Sequence, residues 1–219
     1  MIYFANITSF SSKAQAYLTQ QYMQLYHVIM LCELHRIHSS QVISKFKNTF
    51  KRTAYVNPST PSTNSTEGHH NTGGEAIAVL KHLCTAPVLE AVLQSIIDTS
   101  GRHLNFAACT ISLHGYDILL ITAYLLHSEG MSENNNLIMQ QIMLLVHVMN
   151  LPFILVGDFN MPPASMQDSG WLTQLKAEIL VPNVCSTLIN SVCSLIDYAI
   201  VSYQIKSIIA FLEPDFSAP

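Results

Sequence analysis

The chain has 219 residues and a formal net charge of −4, with 49% of its residues hydrophobic and 11% charged. That is material for one large core, too little for two complete domains, and the wrong balance for a disordered or fibrous chain. The acidic balance is awkward for a nucleic-acid partner, because duplex binding usually relies on basic patches, but it does not exclude an enzyme that draws its positive charge from a metal ion.

The N-terminus, Met1-Ile2-Tyr3-Phe4-Ala5-Asn6, lacks the basic and long apolar regions of a signal peptide. No apolar run reaches membrane length. The longest, Leu137 to Val156, is broken by Gln140, Gln141, His147, Asn150 and Pro152. No membrane partner is expected. The five cysteines are scattered and form no Cys-x-x-Cys pair, which predicts buried free thiols in a reducing, intracellular compartment. The ten histidines show no metal-ligand spacing.

In chain order, Ile2 to Ile7 reads as a strand, Ser9 to Ser12 as a turn, and Lys13 to Leu25 as a helix. His27 to Cys32 is a second apolar strand with Glu33 at its tip. Val42, Ile43, Phe46 and Phe50 give helical spacing over 39–50, with Lys45, Lys47, Lys51 and Arg52 on a solvated side. Asn57 to Gly74 is dense in Pro, Ser, Thr, Asn and Gly and reads as an exposed loop within a single domain. Ala76 to Leu80 restarts the strand pattern, and a helix is predicted over Pro87 to Ile97. Phe106 to Leu113 and Tyr116 to Leu126 form a hairpin around His114-Gly115.

Ser132 is placed to cap a helix whose apolar positions are Leu137, Ile138, Gln141, Ile142, Leu145 and Val148. Asn150-Leu151-Pro152 ends it. Trp171 to Leu180 reads as a short helix, and Ser194 to Ser202 as the last strong strand, interrupted by Asp197.

One stretch organises the rest. The apolar run Phe153-Ile154-Leu155-Val156 stops at Gly157-Asp158-Phe159-Asn160, and Pro162 and Pro163 forbid its regular continuation. Gly, Asp, Asn and Pro are ordinary turn residues. A buried strand ending in an acid and an amide also delivers both to a sheet rim, where ligands of α/β proteins gather.

Other pieces join it in order along nearly the whole chain. They are Asn6; Leu31-Cys32-Glu33; Thr72-Gly73-Gly74-Glu75-Ala76-Ile77; Thr122-Ala123-Tyr124; and Ser194-Leu195-Ile196-Asp197-Tyr198. Together they resemble the endonuclease/exonuclease/phosphatase superfamily, and within it the endonuclease domains of retroelements. The resemblance implies an α/β fold, a four-layered α/β sandwich of two packed, mostly antiparallel sheets flanked by helices. It implies hydrolysis of a phosphodiester, DNA as substrate, and Mg²⁺ as cofactor with Mn²⁺ as substitute. By the same resemblance Glu33 is the metal ligand with Asn6 beside it. Asp158 orients or deprotonates the attacking water, and Asn160 and Tyr124 hold the phosphate. Asp197 fixes the imidazole of a later histidine.

Here the chain departs from the pattern it resembles. The family closes on Ser-Asp-His, or in retroelement members on a later His, whereas this chain ends Glu213-Pro214-Asp215-Phe216-Ser217-Ala218-Pro219, and no histidine follows His147. Losing a general acid or base typically costs ~10²–10⁴ in rate. The domain over 1–219 is therefore expected to be truncated or degenerate at its C-terminus and impaired as a nuclease. A catalytically inactive or binding-only member of the fold is the alternative, and a small-molecule or lipid phosphatase the weaker one.

Overall fold

The computed structural model describes residues 1–7, 11–20, 25–34, 48, 52–57, 74–101, 104–182, 187–189 and 192–209. The elements run β1 (Ile2–Asn6), α1 (Ser12–Leu18), β2 (Val28–Cys32), β3 (Thr53–Asn57), β4 (Glu75–Val79), β5 (Cys84–Pro87) and α2 (Glu90–Ser100). Next come β6 (Phe106–Leu113), β7 (Tyr116–Tyr124), α3 (Glu133–Met149), β8 (Phe153–Asp158), α4 (Pro163–Asp168) and α5 (Trp171–Leu175). The chain continues with β9 (Ala177–Leu180), β10 (Thr187–Ile189), β11 (Val192–Ser194), β12 (Asp197–Ser202) and α6 (Tyr203–Lys206).

Among the described residues the strands form a four-stranded sheet, β1-β2-β4-β3, and a six-stranded sheet, β5-β6-β7-β8-β12-β9. β10 and β11 pair as a separate hairpin. Each large sheet holds one parallel pair, β1–β2 and β7–β8, among antiparallel neighbours. Alternation along the strands builds two apolar faces on each sheet. Val28, Met30, Ile77 and Val79 meet Cys109, Leu120, Val156 and Val201 in the seam between the sheets. On the outer faces, Tyr17 and Leu18 of α1 cover Ile29, Leu31, Ala76 and Ala78. Ile96 of α2 and Ile138, Ile142 and Leu145 of α3 cover Leu119, Ile121, Phe153 and Leu155. The result is helix, sheet, sheet, helix, the predicted four layers.

The longest helix follows its sequence signals. The Ser132 side chain accepts from the Asn135 N–H at 3.3 Å, and Asn150 closes α3 in the left-handed region at φ 48°. The hairpin turns at His114 and Gly115, both at positive φ. No helix among the described residues is long and apolar enough to cross a membrane.

Several predicted boundaries are corrected. The first helix runs Ser12–Leu18, with Thr19 as its C-cap, and of the remaining predicted span to Leu25 residues 21–24 lie outside the described residues. Pro87 belongs to strand β5, and the helix predicted from it begins at Glu90. The helix predicted over Trp171 to Leu180 ends at Leu175. Lys176 is left-handed at φ 52°, and Ala177–Leu180 becomes a strand paired with β12. Pro162 and Pro163 do end their strand, yet Pro163 then starts α4, where its missing N–H costs nothing. β3 occupies a stretch with no strand prediction, and Asn57 closes it instead of opening the loop. The helix predicted over 39–50 lies outside the described residues apart from 48. The loop over 58–73 and the C-terminal 210–219 also lie outside them.

Candidate active site

Strand alternation decides which side chains share the seam. Phe4, Met30, Leu120, Val156 and Ala199 point into it, so Asn6, Cys32, Tyr124, Asp158 and Asp197, an even number of residues away on the same strands, point the same way. Register brings them to one end. Asn6 lies beside Cys32, Tyr124 beside Asp158, and Asp158 beside Asp197. Parallel pairing matters, since it puts the C-terminal tips of β1 and β2, and of β7 and β8, at a common edge.

The two carboxylate oxygens of Asp158 have separate partners. Oδ2 accepts from the Asn6 amide at 2.8 Å, a bond that crosses from one sheet to the other. Oδ1 accepts from the Asn160 backbone N–H at 2.9 Å, closing a turn in which Asn160 sits at φ 50°. Asparagine tolerates that left-handed conformation better than other residues with a Cβ. The Asn160 side chain then donates to the Leu125 carbonyl at 2.8 Å. Turn and site are thus the same construction.

Gly157 is fixed by contact with β7. A Cβ there would lie 2.4 Å from the Ala123 carbonyl oxygen and 3.5 Å from the Phe159 ring, which itself stacks on Tyr198 at 4.4 Å. At the tip of β2, Glu33 is left-handed at φ 55°, a conformation uncommon for a residue with a Cβ. The Tyr124 hydroxyl lies near enough to the Glu33 and Asn160 side chains to feel both. Strand register and these bonds bring Asn6, Glu33, Tyr124, Asp158, Asn160 and Asp197 to one end of the seam.

Burial and like charge set the protonation behaviour. Burial, then the neighbouring Asp197 carboxylate, pushes the Asp158 carboxyl up to about 7, with Glu33 adding to the rise. The bonds from Asn160 and Asn6 oppose it. A carboxyl held near neutrality is suited to accept a proton from water. Burial chiefly, then the Asp158 and Asp197 charges, raises the Cys32 thiol well above its ordinary range, so it stays protonated. Tyr124 is likewise raised, first by burial and then by Glu33.

Two further groups were not singled out from sequence. His127, three residues past Tyr124, brings its Nδ1 to 2.9 Å from the Asn160 amide oxygen. Its spacing from Tyr124 was the only available signal. Glu75 opens β4 one residue beyond the Leu31–Ala76 pair, at the same end of the sheet as Cys32. It is 1% exposed, takes the Asn57 amide on Oε2 at 2.9 Å, and has no hydrogen-bond partner on Oε1 among the described residues. Burial pushes it up to about 8.

Among the described residues no three His, Cys, Asp or Glu side chains form a metal cage. The donor set still fits a hard ion such as Mg²⁺, which takes oxygen ligands and keeps several waters, so that one or two carboxylates suffice. Glu33 supplies a carboxylate. Asn6 turns its amide nitrogen to Asp158, so its oxygen is the atom suited to a cation. The crowding of Asp158 by Asp197 and Glu33 is the excess of negative charge that a cation would relieve.

The sequence matches the model of the endonuclease/exonuclease/phosphatase family over residues 11–216. No curated protein matches it significantly. Similar solved structures include the endonuclease domain of TRAS1, a telomere-specific non-LTR retrotransposon, with 16% identity, TM-score 0.58, and coverage of 94% of this chain and 86% of that one. The beta toxin of Staphylococcus aureus is similar at 14% identity and TM-score 0.59, covering 92% and 85%. The human Nocturnin catalytic domain follows at 14% identity and TM-score 0.57, covering 92% and 81%. These likenesses concern the fold. With the match extending over most of its length, the chain belongs to the endonuclease/exonuclease/phosphatase family.

Proposed function

We propose that the chain is a metal-dependent phosphodiester hydrolase whose substrate is DNA. The observation that carries this reading is the meeting of Asn6, Glu33, Tyr124, Asp158, Asn160 and Asp197 at one edge of the seam, from five different strands and their tips. Glu33 and Asn6 would hold Mg²⁺, with Mn²⁺ as a substitute, and the bound ion would neutralise charge growing on the phosphoryl oxygens. Asp158 takes a proton from the attacking water, held in place by Asn6 and the Asn160 N–H. Asn160 and Tyr124 orient the phosphate. DNA is favoured as substrate by the likeness to a retrotransposon endonuclease domain. With a net charge of −4, binding to a polyanion would depend on the ion.

A second reading, a member that binds without cleaving, is favoured by Phe216, which follows Asp215 where the family's Ser-Asp-His motif has its histidine. Nicking of supercoiled plasmid separates the two. The hydrolase reading predicts nicking that needs Mg²⁺, stops in EDTA, and falls ~10²–10⁴-fold in Asp158→Ala. Nicking that persists in EDTA or in Asp158→Ala contradicts it. Metal-dependent DNA binding with no nicking supports the second reading.

A further inference from the structure

The phosphodiesterase reading leaves one step without a residue. When the bond from phosphorus to the leaving oxygen breaks, its electron pair goes to an alkoxide that needs a proton, and none of Asn6, Glu33, Tyr124, Asp158, Asn160 and Asp197 has been assigned to give it. We infer that His127 is the catalytic acid of this site and protonates the leaving oxygen from Nε2. The inference rests on the phosphodiesterase reading.

Hydrogen bonding fixes which nitrogen does the work. The Leu125 carbonyl can only accept, so the Asn160 amide turns its nitrogen to it, at 2.8 Å. The amide oxygen then faces His127 Nδ1, at 2.9 Å. That oxygen can only accept, so Nδ1 carries a hydrogen in every protonation state. The nitrogen left to exchange a proton is Nε2, on an imidazole that is exposed to solvent beside the phosphate-orienting amide.

The segment carrying His127 is held at successive positions. The Leu125 N–H donates to the Asp158 carbonyl at 3.0 Å. The fully buried Asn135 side chain grips Leu126 from both sides, accepting from its N–H at 2.7 Å and donating to its carbonyl at 3.1 Å. The same amide nitrogen reaches the Gly130 carbonyl at 2.7 Å. Immediately after the imidazole, Ser128 is left-handed at φ 61°. A non-glycine residue persists in that region only where its surroundings hold it. These contacts set His127 on the Asn160 side of the site before any substrate arrives, which is the preorganisation that proton transfer requires.

The proton balance closes. Water oxygen forms the new bond to phosphorus and gives its proton to Asp158. The imidazolium gives its Nε2 proton to the departing oxygen and becomes neutral imidazole. Solvent then returns a proton to Nε2 and removes one from Asp158.

The test compares leaving groups. Plasmid DNA leaves as an alkoxide, whereas bis(p-nitrophenyl) phosphate leaves as a stable phenolate that needs no acid. His127→Ala is expected to slow plasmid cleavage ~10²-fold or more and bis(p-nitrophenyl) phosphate cleavage by less than about threefold. His127→Gln, whose amide can still donate to Asn160 but has no proton to transfer, is expected to be as slow on plasmid as the alanine variant. Equal losses on both substrates, or full plasmid activity in the glutamine variant, would make His127 a positioning residue and overturn the inference. Failure of the unaltered protein to cleave either substrate with Mg²⁺ would instead overturn the phosphodiesterase reading beneath it.

Discussion

Asp158 and Glu75 are both buried acids, but only one has two partnered oxygens. Asp158 holds the Asn160 turn with one oxygen and Asn6 with the other. Glu75 keeps Oε1 without a hydrogen-bond partner among the described residues, and burial lifts its carboxyl from 4.5 to about 8 against the hydrogen bonds it accepts. Between those values the folded chain holds a proton that the unfolded chain has released. Stability from this group is thus fully present below about 4.5 and is lost as the pH rises through about 8. Asp158, raised from 3.8 to about 7, adds a fall of the same sign. Glu75→Gln is expected to unfold at higher denaturant than the parent at about pH 9, by roughly 1–3 kcal/mol. Near pH 5 the two should coincide. Urea melts at both pH values check this, and a variant weaker than its parent at the higher pH would refute it.

At the level of elements, the β7–β8 pair carries the site. It is parallel, so Tyr124 and Asp158 emerge together, and it is tight, since Gly157 leaves no room for a side chain against Ala123. Gly157→Ala is expected to force the strands apart, costing roughly 1–3 kcal/mol and lowering the melting temperature by about 2–4 °C for each kcal/mol. Cleavage should fall with it, because the strand tips set the spacing of the catalytic groups. A melting temperature equal to the parent's would show that the contact yields without strain. The elements also mark where sequence reading stops. β7, α3 and β8 were legible because periodicity, cap and turn signals agreed. β9 was not, because Ala177-Glu178-Ile179-Leu180 suits a helix as well as an edge strand, and pairing with β12 decided it. β3 hid for a similar reason, having only partly buried positions and no clean alternation.

Over the whole molecule, the four layers exist to bring distant stretches to one edge. The candidate residues were legible through a resemblance to a family's motifs, and Asn6, Tyr124, Asp158 and Asp197 stand at strand ends with Glu33 and Asn160 just past theirs. His127 was not, since a loop position has no periodicity and only the fold reveals its bond to Asn160. The central claim is that Glu33 and Asp158, from different sheets, serve one reaction. Single-turnover cleavage of plasmid with Mg²⁺ by Glu33→Ala, Asp158→Ala and the double variant tests it most directly. Residues acting as a unit are grossly non-additive, so the double variant should be little slower than the slower single one. A double variant slowed by the product of the two separate losses would mean that the two carboxylates act independently, and would contradict the account.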